Sequence, residues 1–238
     1  MQKKVETAPA KIERLPSAGI TAPKFVVLTI PVVGMAGSPL VVHAFSAKSR
    51  LQMREAQELG SVGRKRRPKD PKNFDEMYAQ AQHISRDGWQ GVACASFRGA
   101  MIAACRLVGF KMTIGKQALF VEADGVDASD GMPLVRIHGE PEPFEAVVRN
   151  QTGVTDIRMR PRWDAWSADL RVRYDREQMS DEDIINLVIR AGAQCGICEG
   201  RPTSPNSFGQ GWGLFEIDVA RPISMTELAV PKIQFVRS

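Results

Sequence analysis

An α+β fold built on an antiparallel sheet is predicted by three features in the last third of the 238-residue sequence. Polar and apolar residues alternate over Ser167–Tyr174, which is typical of a strand with one buried face. A helix with an acidic first turn and one apolar stripe follows from Ser180. A strand over Leu214–Val219 comes after a glycine-rich loop. This β–α–loop–β unit fits half of a ferredoxin-like (RRM-like) sheet with helices on one face and inserted loops.

The composition is that of a folded globular chain, with 43% apolar and 25% charged residues. Collagen-like, coiled-coil and wholly disordered classes are therefore excluded. Residues 1–23 are polar, proline-containing and without periodicity, so they predict a flexible N-terminal arm before a single domain over 24–238. Four cysteines and the lack of an apolar leader segment favour a reducing, cytoplasmic location.

One stretch has the length of a membrane span. Phe25–Ala47 contains no Asp, Glu, Lys or Arg. Pro31 and Gly34 interrupt it, however, and its two halves are rich in β-branched residues. The sequence therefore favours two buried strands, at about 25–33 and 39–45, over a membrane helix, and no membrane partner is expected.

Local signals place the remaining elements. Ser96 has the chemistry of an N-cap, apolar residues follow it at helical spacing, and Gly192 is expected to end the helix that begins after Ser180. The other predicted elements are a helix over 47–59, a loop over 60–73, a short helix or strand within 74–84, a helix over 96–108, and strands over 117–122 and 133–138.

Positive charge is concentrated in one stretch of the chain. The stretch from Lys48 to Lys72 holds nine Lys and Arg against three Asp and Glu, an excess larger than the net charge of +5 of the whole chain. The run Arg64-Lys65-Arg66-Arg67-Pro68-Lys69 lies inside the glycine- and proline-containing loop 60–73. Such a run attracts phosphates. A merely solvated basic loop is the alternative.

A second basic cluster reads Arg158-Met159-Arg160-Pro161-Arg162-Trp163. In an extended segment its three arginines lie on one face, where guanidinium groups can bind phosphates. Trp163 could then offer a platform on which a base stacks. Arg98, in the first turn of its helix, could bind a phosphate or simply cap the edge of the core.

No catalytic constellation is visible. His43, His83 and His138 are scattered, and His43, inside an apolar strand, is expected to be a core histidine. The CxxC at Cys195–Cys198 lacks two further ligands at zinc-knuckle spacing, so buried thiols are favoured, with zinc or redox chemistry as alternatives. The chain is therefore predicted not to be an enzyme and to carry no metal or cofactor.

The glycine-rich segment Phe208-Gly209-Gln210-Gly211-Trp212-Gly213 permits a close approach of its backbone to another surface. A dinucleotide fingerprint requires a following helix, whereas a strand is predicted here. Trp212 is open to two readings, a base-stacking side chain or one tucked into the core.

Two segments together resemble a known superfamily. Gly91-Val92-Ala93-Cys94-Ala95-Ser96-Phe97-Arg98-Gly99-Ala100-Met101 is similar to the strand-to-helix motif of the RAMP superfamily, which includes backbone subunits of CRISPR Cascade complexes. The segment Phe208–Ile217 resembles that superfamily's glycine-rich ending. Cys94-Ala95 and Leu214 depart from the usual residues, and the catalytic histidine of the RNA-processing members has no counterpart. The sequence also resembles phage-encoded proteins of similar length.

The resemblance implies a modified RRM core that forms a filament along single-stranded nucleic acid without catalysis, with loop 61–73 as a protruding finger. We therefore expect a homo-oligomer that binds single-stranded RNA or DNA; the alternative is a phage coat or scaffold component whose basic loop makes subunit contacts. The predicted binding residues are Arg64, Lys65, Arg66, Arg67, Lys69, Lys72, Arg98, Arg158, Arg160, Arg162, Trp163, Gly209, Gly211 and Trp212.

Overall fold

The structure is a computed structural model that describes residues 21–45, 47–58, 72–149, 155–204 and 210–229. Helices and strands alternate irregularly along these segments. The strands are β1 (Phe25–Gly34), β2 (Leu40–Val41), β3 (His83–Ile84), β4 (Gln90–Ala93), β5 (Leu119–Val121), β6 (Gly125–Val126), β7 (Pro133–Arg136), β8 (Glu142–Arg149), β9 (Thr155–Trp163), β10 (Ser167–Asp175), β11 (Phe215–Ile217) and β12 (Ser224–Glu227). The helices are α1 (Ala47–Glu58), α2 (Phe74–Gln80), α3 (Cys94–Leu107), α4 (Met112–Ala118) and α5 (Asp181–Arg190), which a π-helical turn over Ala191–Cys195 extends.

The main sheet has the spatial order β11-β1-β10-β5, and β12 also pairs with β1. Every neighbouring pair is antiparallel. The two central strands pair along nearly their whole length, with Ile30 opposite Leu170 in the middle. Because both strands alternate buried and partly exposed residues, each contributes one continuous apolar face.

The core lies between this apolar face and two helices. Leu28 and Leu170 from the sheet share one buried cluster with Phe97 of α3 and with Ile184 and Val188 of α5. Residues on the opposite face of the same strands are only partly buried. The helices therefore cover one face of the sheet, as amphipathic elements must when they share a single core.

Two smaller sheets flank the main one. One has the order β2-β9-β8, in which β8 and β9 form a long antiparallel pair. The other has the order β3-β4-β7-β6. Strand β4 leads directly into α3, so the second small sheet is joined to the main core through that helix.

The prediction of an α+β chain with antiparallel sheets is confirmed. In the uncharged stretch, β1 forms where the first strand was expected, whereas the second strand, predicted over 39–45, is limited to the two-residue β2. No helix in the described part of the chain has the length and apolar character needed to cross a membrane. The 8-residue β8 and the short β12 were not anticipated from the sequence.

Helix ends were predicted less well than helix positions. Ser180 caps α5 as expected, in a capping box with Asp183. Ser96, in contrast, is not an N-cap: α3 already begins at Cys94, and Ala93 at its N-cap position makes no side-chain capping bond. Gly192 does not end the chain's helical course, because the π-helical turn continues to Cys195.

Candidate nucleic-acid interface

A cationic cavity lies between β9, α2 and the segment after β2. It has a volume of about 320 Å³. Lys72, just before α2, meets Arg158 and Arg160 of β9 here, so members of both predicted basic clusters share one site. We call it the β9 groove; its lining residues are His43, Ala44, Gln52, Lys72, Met77, Gln80, Ala81, Asp156, Arg158 and Arg160.

Positive charge exceeds negative charge among the lining side chains. Asp156 is the single carboxylate in this lining. Lys72 forms an ion pair with it and also donates to the Ile157 carbonyl at 3.1 Å, while Arg158 Nε lies 3.3 Å from the same carboxylate. The hydrogen bond from Lys72 lowers the pKa of Asp156, so the carboxylate stays ionised at neutral pH.

Arg160 is buried, which corrects the expectation of three exposed arginines on one strand face. Its side chain is 5% exposed, and its Nε donates to Glu199 at 3.1 Å. Glu199 also lies 3.2 Å from His43 Nδ1. Burial raises the pKa of Glu199, but the hydrogen bond from His43 and the charge of Arg160 outweigh it, and the pKa is lowered. Arg160 therefore serves mainly to balance Glu199 beneath the groove.

Arg162 lies on the same face of β9 but outside the groove lining. Its Nε donates to Asp164 at 2.7 Å, and its guanidinium carbon lies 5.1 Å from the centre of the Phe144 ring. About a third of the side chain is exposed. Of the three arginines in the second cluster, Arg158 and Arg162 therefore remain accessible to a ligand.

Trp163 is part of the core, which corrects its predicted role as an exposed stacking platform. It is 1% exposed, and its indole N–H donates to the Gly139 carbonyl at 3.2 Å. Strand alternation explains the result. Trp163 is an odd-numbered position of β9, so it points away from the face that carries Arg158, Arg160 and Arg162.

Arg98 caps backbone carbonyl groups instead of pointing into the groove. Its guanidinium donates to the Leu119 carbonyl at 2.8 Å and to the Lys116 carbonyl at 2.5 Å, at the end of α4. It also lies over the Phe120 ring at 5.2 Å. Of the two roles left open by the sequence, the contacts favour the cap at the edge of the core.

The described part of the glycine-rich segment, from residue 210, is docked on the turn before β2. Ser38 Oγ donates to the Gly211 carbonyl at 2.7 Å and accepts from the Leu214 N–H at 2.8 Å. Trp212 is partly buried and packs edge-on against Phe144, with a centroid separation of 5.7 Å. Gly211 and Trp212 thus lie apart from the groove lining, and Gly209 is outside the described residues.

The strongest predicted signal also falls outside the described residues. Arg64, Lys65, Arg66, Arg67 and Lys69 belong to the segment 59–71, whose structure is not described. Lys72, the last cation of that cluster, is the member that the structure places, and it lies in the groove.

Two histidine–carboxylate pairs were not predicted from the sequence. His43 is not a core histidine, because about a third of its side chain is exposed and its Nδ1 lies 3.2 Å from the Glu199 carboxylate. His83 is buried and lies 2.8 Å from Asp127 through Nδ1. Both carboxylates are far from their histidines in sequence, so no spacing rule could have joined them.

Replacing Asp127 by asparagine is expected to reduce stability in a pH-dependent way. Burial raises the pKa of Asp127, but hydrogen bonds from Ser129 and His83 outweigh it and lower that pKa below its usual value. The ionised form therefore stabilises the fold above about pH 4, and this contribution is lost as pH falls through the lowered pKa.

Urea unfolding should show Asp127→Asn to be less stable by about 1–3 kcal/mol at pH 7, with the difference shrinking toward pH 3. The same loss at both pH values would contradict the role of the ionised carboxylate.

The four cysteines are free thiols: Cys94, Cys105 and Cys195 are buried and Cys198 is partly buried. Burial raises the pKa of Cys198 to about 12 and that of Cys94 to about 11, so neither is an activated thiolate. Among the residues that the structure describes, no three His, Cys, Asp or Glu side chains form a group able to hold a metal ion.

Comparison with known proteins adds no assignment: no protein-family model matches the sequence, and no curated protein matches it significantly.

Proposed function

We propose that this chain is a non-catalytic protein that binds single-stranded RNA or DNA in the cytoplasm and assembles along the strand as a homo-oligomer. The observation that carries the proposal is the β9 groove, where Lys72 and Arg158 come from two basic clusters that are far apart in the sequence. Cations that converge on one groove can follow a phosphate backbone, whereas scattered surface cations cannot.

The groove also offers groups that suit nucleotides beyond their phosphates. His43, Gln52 and Gln80 line it and can donate to or accept from base edges and sugar hydroxyls. The cationic run Arg64–Lys69 ends three residues before Lys72 in the sequence. These features support a ligand with both negative charge and exposed hydrogen-bonding edges, which describes an unpaired strand.

The order of the main elements supports a ferredoxin-like, RRM-like core. In chain order they are β1, α3, β5, β10, α5 and β11, which is a β-α-β-β-α-β sequence. In space the strands lie in the order β11-β1-β10-β5, with all neighbours antiparallel. On this proposal α4 and the two smaller sheets are insertions into a core of the kind that the RAMP resemblance implies.

The sheet face opposite the helices carries side chains of the kind that contact bases. Phe25 and Phe120 lie 6.2 Å apart between ring centres, and the Arg173 guanidinium lies 4.9 Å and 4.6 Å from them. Aromatic rings and guanidinium planes are the usual stacking partners of unpaired bases. This face therefore supports an RRM-like reading.

A salt titration tests the proposal. Fluorescence anisotropy of a labelled mixed-sequence 30-mer should show binding whose log Kd rises with log salt, because each neutralised phosphate releases condensed counterions. Nuclease treatment should also lower the A260/A280 ratio of freshly purified protein. Absence of binding at low salt, together with a ratio that nuclease does not change, would refute the proposal.

One observation favours the second candidate, a structural assembly protein. Val147 and Ile157 face each other across β8 and β9 and are 70% and 43% exposed. An exposed apolar cross-strand pair is suited to a contact between subunits. If the chain forms oligomers that persist at high salt and bind no strand, this second function replaces the first.

A further inference from the structure

A second, smaller cavity lies next to the β9 groove. It has a volume of about 200 Å³, and His43 lines both cavities. Its lining residues are Val42, His43, His83, Val92, Ala93, Ser96, Cys198, Glu199 and Arg201. At roughly 30 Å³ for each water molecule, it has room for an ion-sized group, and it is smaller than the roughly 300–1,000 Å³ of a typical drug-sized site.

Both histidines in this cavity are oriented by a carboxylate. His43 Nδ1 lies 3.2 Å from Glu199, and His83 Nδ1 lies 2.8 Å from Asp127. No partner for either Nε2 is present among the described residues. A histidine held in this way can donate from Nε2 to a phosphate oxygen when the ring is protonated.

Arg201 brings a guanidinium to the same cavity. Its Nη1 donates to the Cys198 carbonyl at 2.7 Å, and no carboxylate within the described segments lies at ion-pair distance from it. A guanidinium has five N–H donors, so several remain for a ligand. The Ser96 hydroxyl, which hydrogen-bonds the Cys198 thiol, also lines the cavity.

The single carboxylate in the lining is already balanced. Glu199 is held by His43 on one oxygen and by Arg160 on the other. Arg160, which lines the β9 groove, therefore offsets the charge of Glu199. Arg201 is the lining cation that has no acidic partner among the described residues.

The backbone that presents these side chains is unusual. A π-helical turn over 191–195 ends at the first cysteine of the CxxC, and Cys198 has a φ of 61° although it is not a glycine. Such a conformation costs about 1–3 kcal/mol and persists where the surrounding structure imposes it, often at ligand sites. Here it brings Cys198, Glu199 and Arg201 to the wall of the cavity.

We propose that this cavity is a phosphate subsite that takes one phosphate group of a strand lying in the β9 groove. This inference rests on the proposed function and deepens it, since it assigns a second set of contacts to the same ligand. The phosphate can come from the strand or from free inorganic phosphate, because the same donors recognise both.

The test uses inorganic phosphate as the probe, in isothermal titration calorimetry at constant ionic strength set with NaCl. The wild-type protein should give a saturable heat, and Arg201→Gln should weaken binding by about tenfold or more, since a charge-assisted hydrogen bond is lost. Arg190→Gln, at the C-terminal end of α5 and outside the lining of this cavity, is the matched control and should bind as wild type. Ser96→Ala should weaken binding less, which serves as a second variant should Arg201→Gln not fold.

Anisotropy with 30-mers that do or do not carry a 5′-phosphate distinguishes the sources. If Arg201→Gln weakens the binding of both strands, the subsite takes an internal phosphate. If it weakens the binding of the phosphorylated strand alone, the subsite takes the terminal phosphate. Wild-type protein that binds no phosphate, or folded Arg201→Gln and Ser96→Ala that bind it as wild type does, would overturn the subsite. Salt-dependent binding of the 30-mer would still support the groove in that case, so the two proposals fail separately.

Discussion

Replacing Lys72 and Arg158 together by glutamine is expected to weaken binding of a single-stranded 30-mer about tenfold near physiological salt. Each lost phosphate contact on a single strand should flatten the log–log salt slope by about 0.7, and two contacts by about 1.4. The affinity should fall alike for different sequences, because phosphate contacts position a strand and do not read it.

The fold should survive this double substitution. The Lys72 and Arg158 side chains are 43% and 35% exposed, and their ion pairs with Asp156 are of the surface type that contributes only about 0–1 kcal/mol each. Circular dichroism and the urea midpoint should therefore stay close to those of wild type, so that a binding defect is attributable to the groove.

A charge-matched control separates the groove from the overall charge of the protein. Lys111 and Lys116 are exposed, lie in or next to α4 and do not line the groove. Lys111→Gln/Lys116→Gln removes the same two charges and should leave the salt slope nearly unchanged. If this variant and the groove variant weaken binding equally, only net charge matters and the groove is not the binding site.

Asp156→Asn should act in the opposite direction. It removes the carboxylate that both Lys72 and Arg158 contact, so the groove becomes more positive and the 30-mer should bind more tightly. The same anisotropy titration measures it. A decrease in affinity would mean that Asp156 positions the two cations for the strand, and that simple charge balance does not describe the site.

Local features of the fold could be predicted because the residues that cause them are close in sequence. The capping box at Ser180 needs only Asp183, and the alternation in β10 needs only that strand. The pairing of β1 with β10 joins residues about 140 positions apart, and no local signal specifies that Ile30 faces Leu170. The sequence therefore supported the class of fold more strongly than its strand order.

The candidate site was predicted in part for the same reason. Alternation correctly places Arg158, Arg160 and Arg162 on one face of β9. The burial of Arg160 depends on Glu199, which is 39 residues away, and so the sequence could not reveal it. Trp163 was different: its odd position in the alternation was visible in the sequence, and that position already indicated the core side.

Gly192 shows that a glycine near the end of a helix can have either of two structural roles. A glycine after an apolar stripe usually ends a helix in the left-handed conformation. Here a Cβ at position 192 would lie 2.0 Å from the Phe215 carbonyl oxygen, so the glycine allows β11 to pack directly against the π-helical turn. A close approach between distant segments, which the sequence does not disclose, explains its presence.

The distinction between backbone conformation and close packing also predicts that alanine substitutions at two neighbouring glycines differ greatly in their effect on stability. Gly211 and Gly213 both have positive φ, +73° and +68°, so an alanine at either position costs about 1–2 kcal/mol of backbone strain. At Gly211 a Cβ would meet nothing within 4 Å, and strain is the whole expected cost. At Gly213 a Cβ would lie 2.0 Å from the Ile197 carbonyl oxygen, in a backbone that cannot give way like a flexible side chain.

Gly213→Ala is therefore expected to lower the free energy of unfolding by about 3 kcal/mol or more, at the upper end of what point substitutions cause, while Gly211→Ala loses about 1–2 kcal/mol. Urea unfolding of the two variants measures the difference. Equal losses would show that the segment 211–213 moves away from Ile197 without cost and is not firmly docked.

If the difference is found, Gly213 is needed for the fold, and the open space above Gly211 is where the backbone of this segment can approach a strand or a neighbouring subunit. In that case a bulkier Gly211→Val should impair 30-mer binding or assembly beyond its effect on stability.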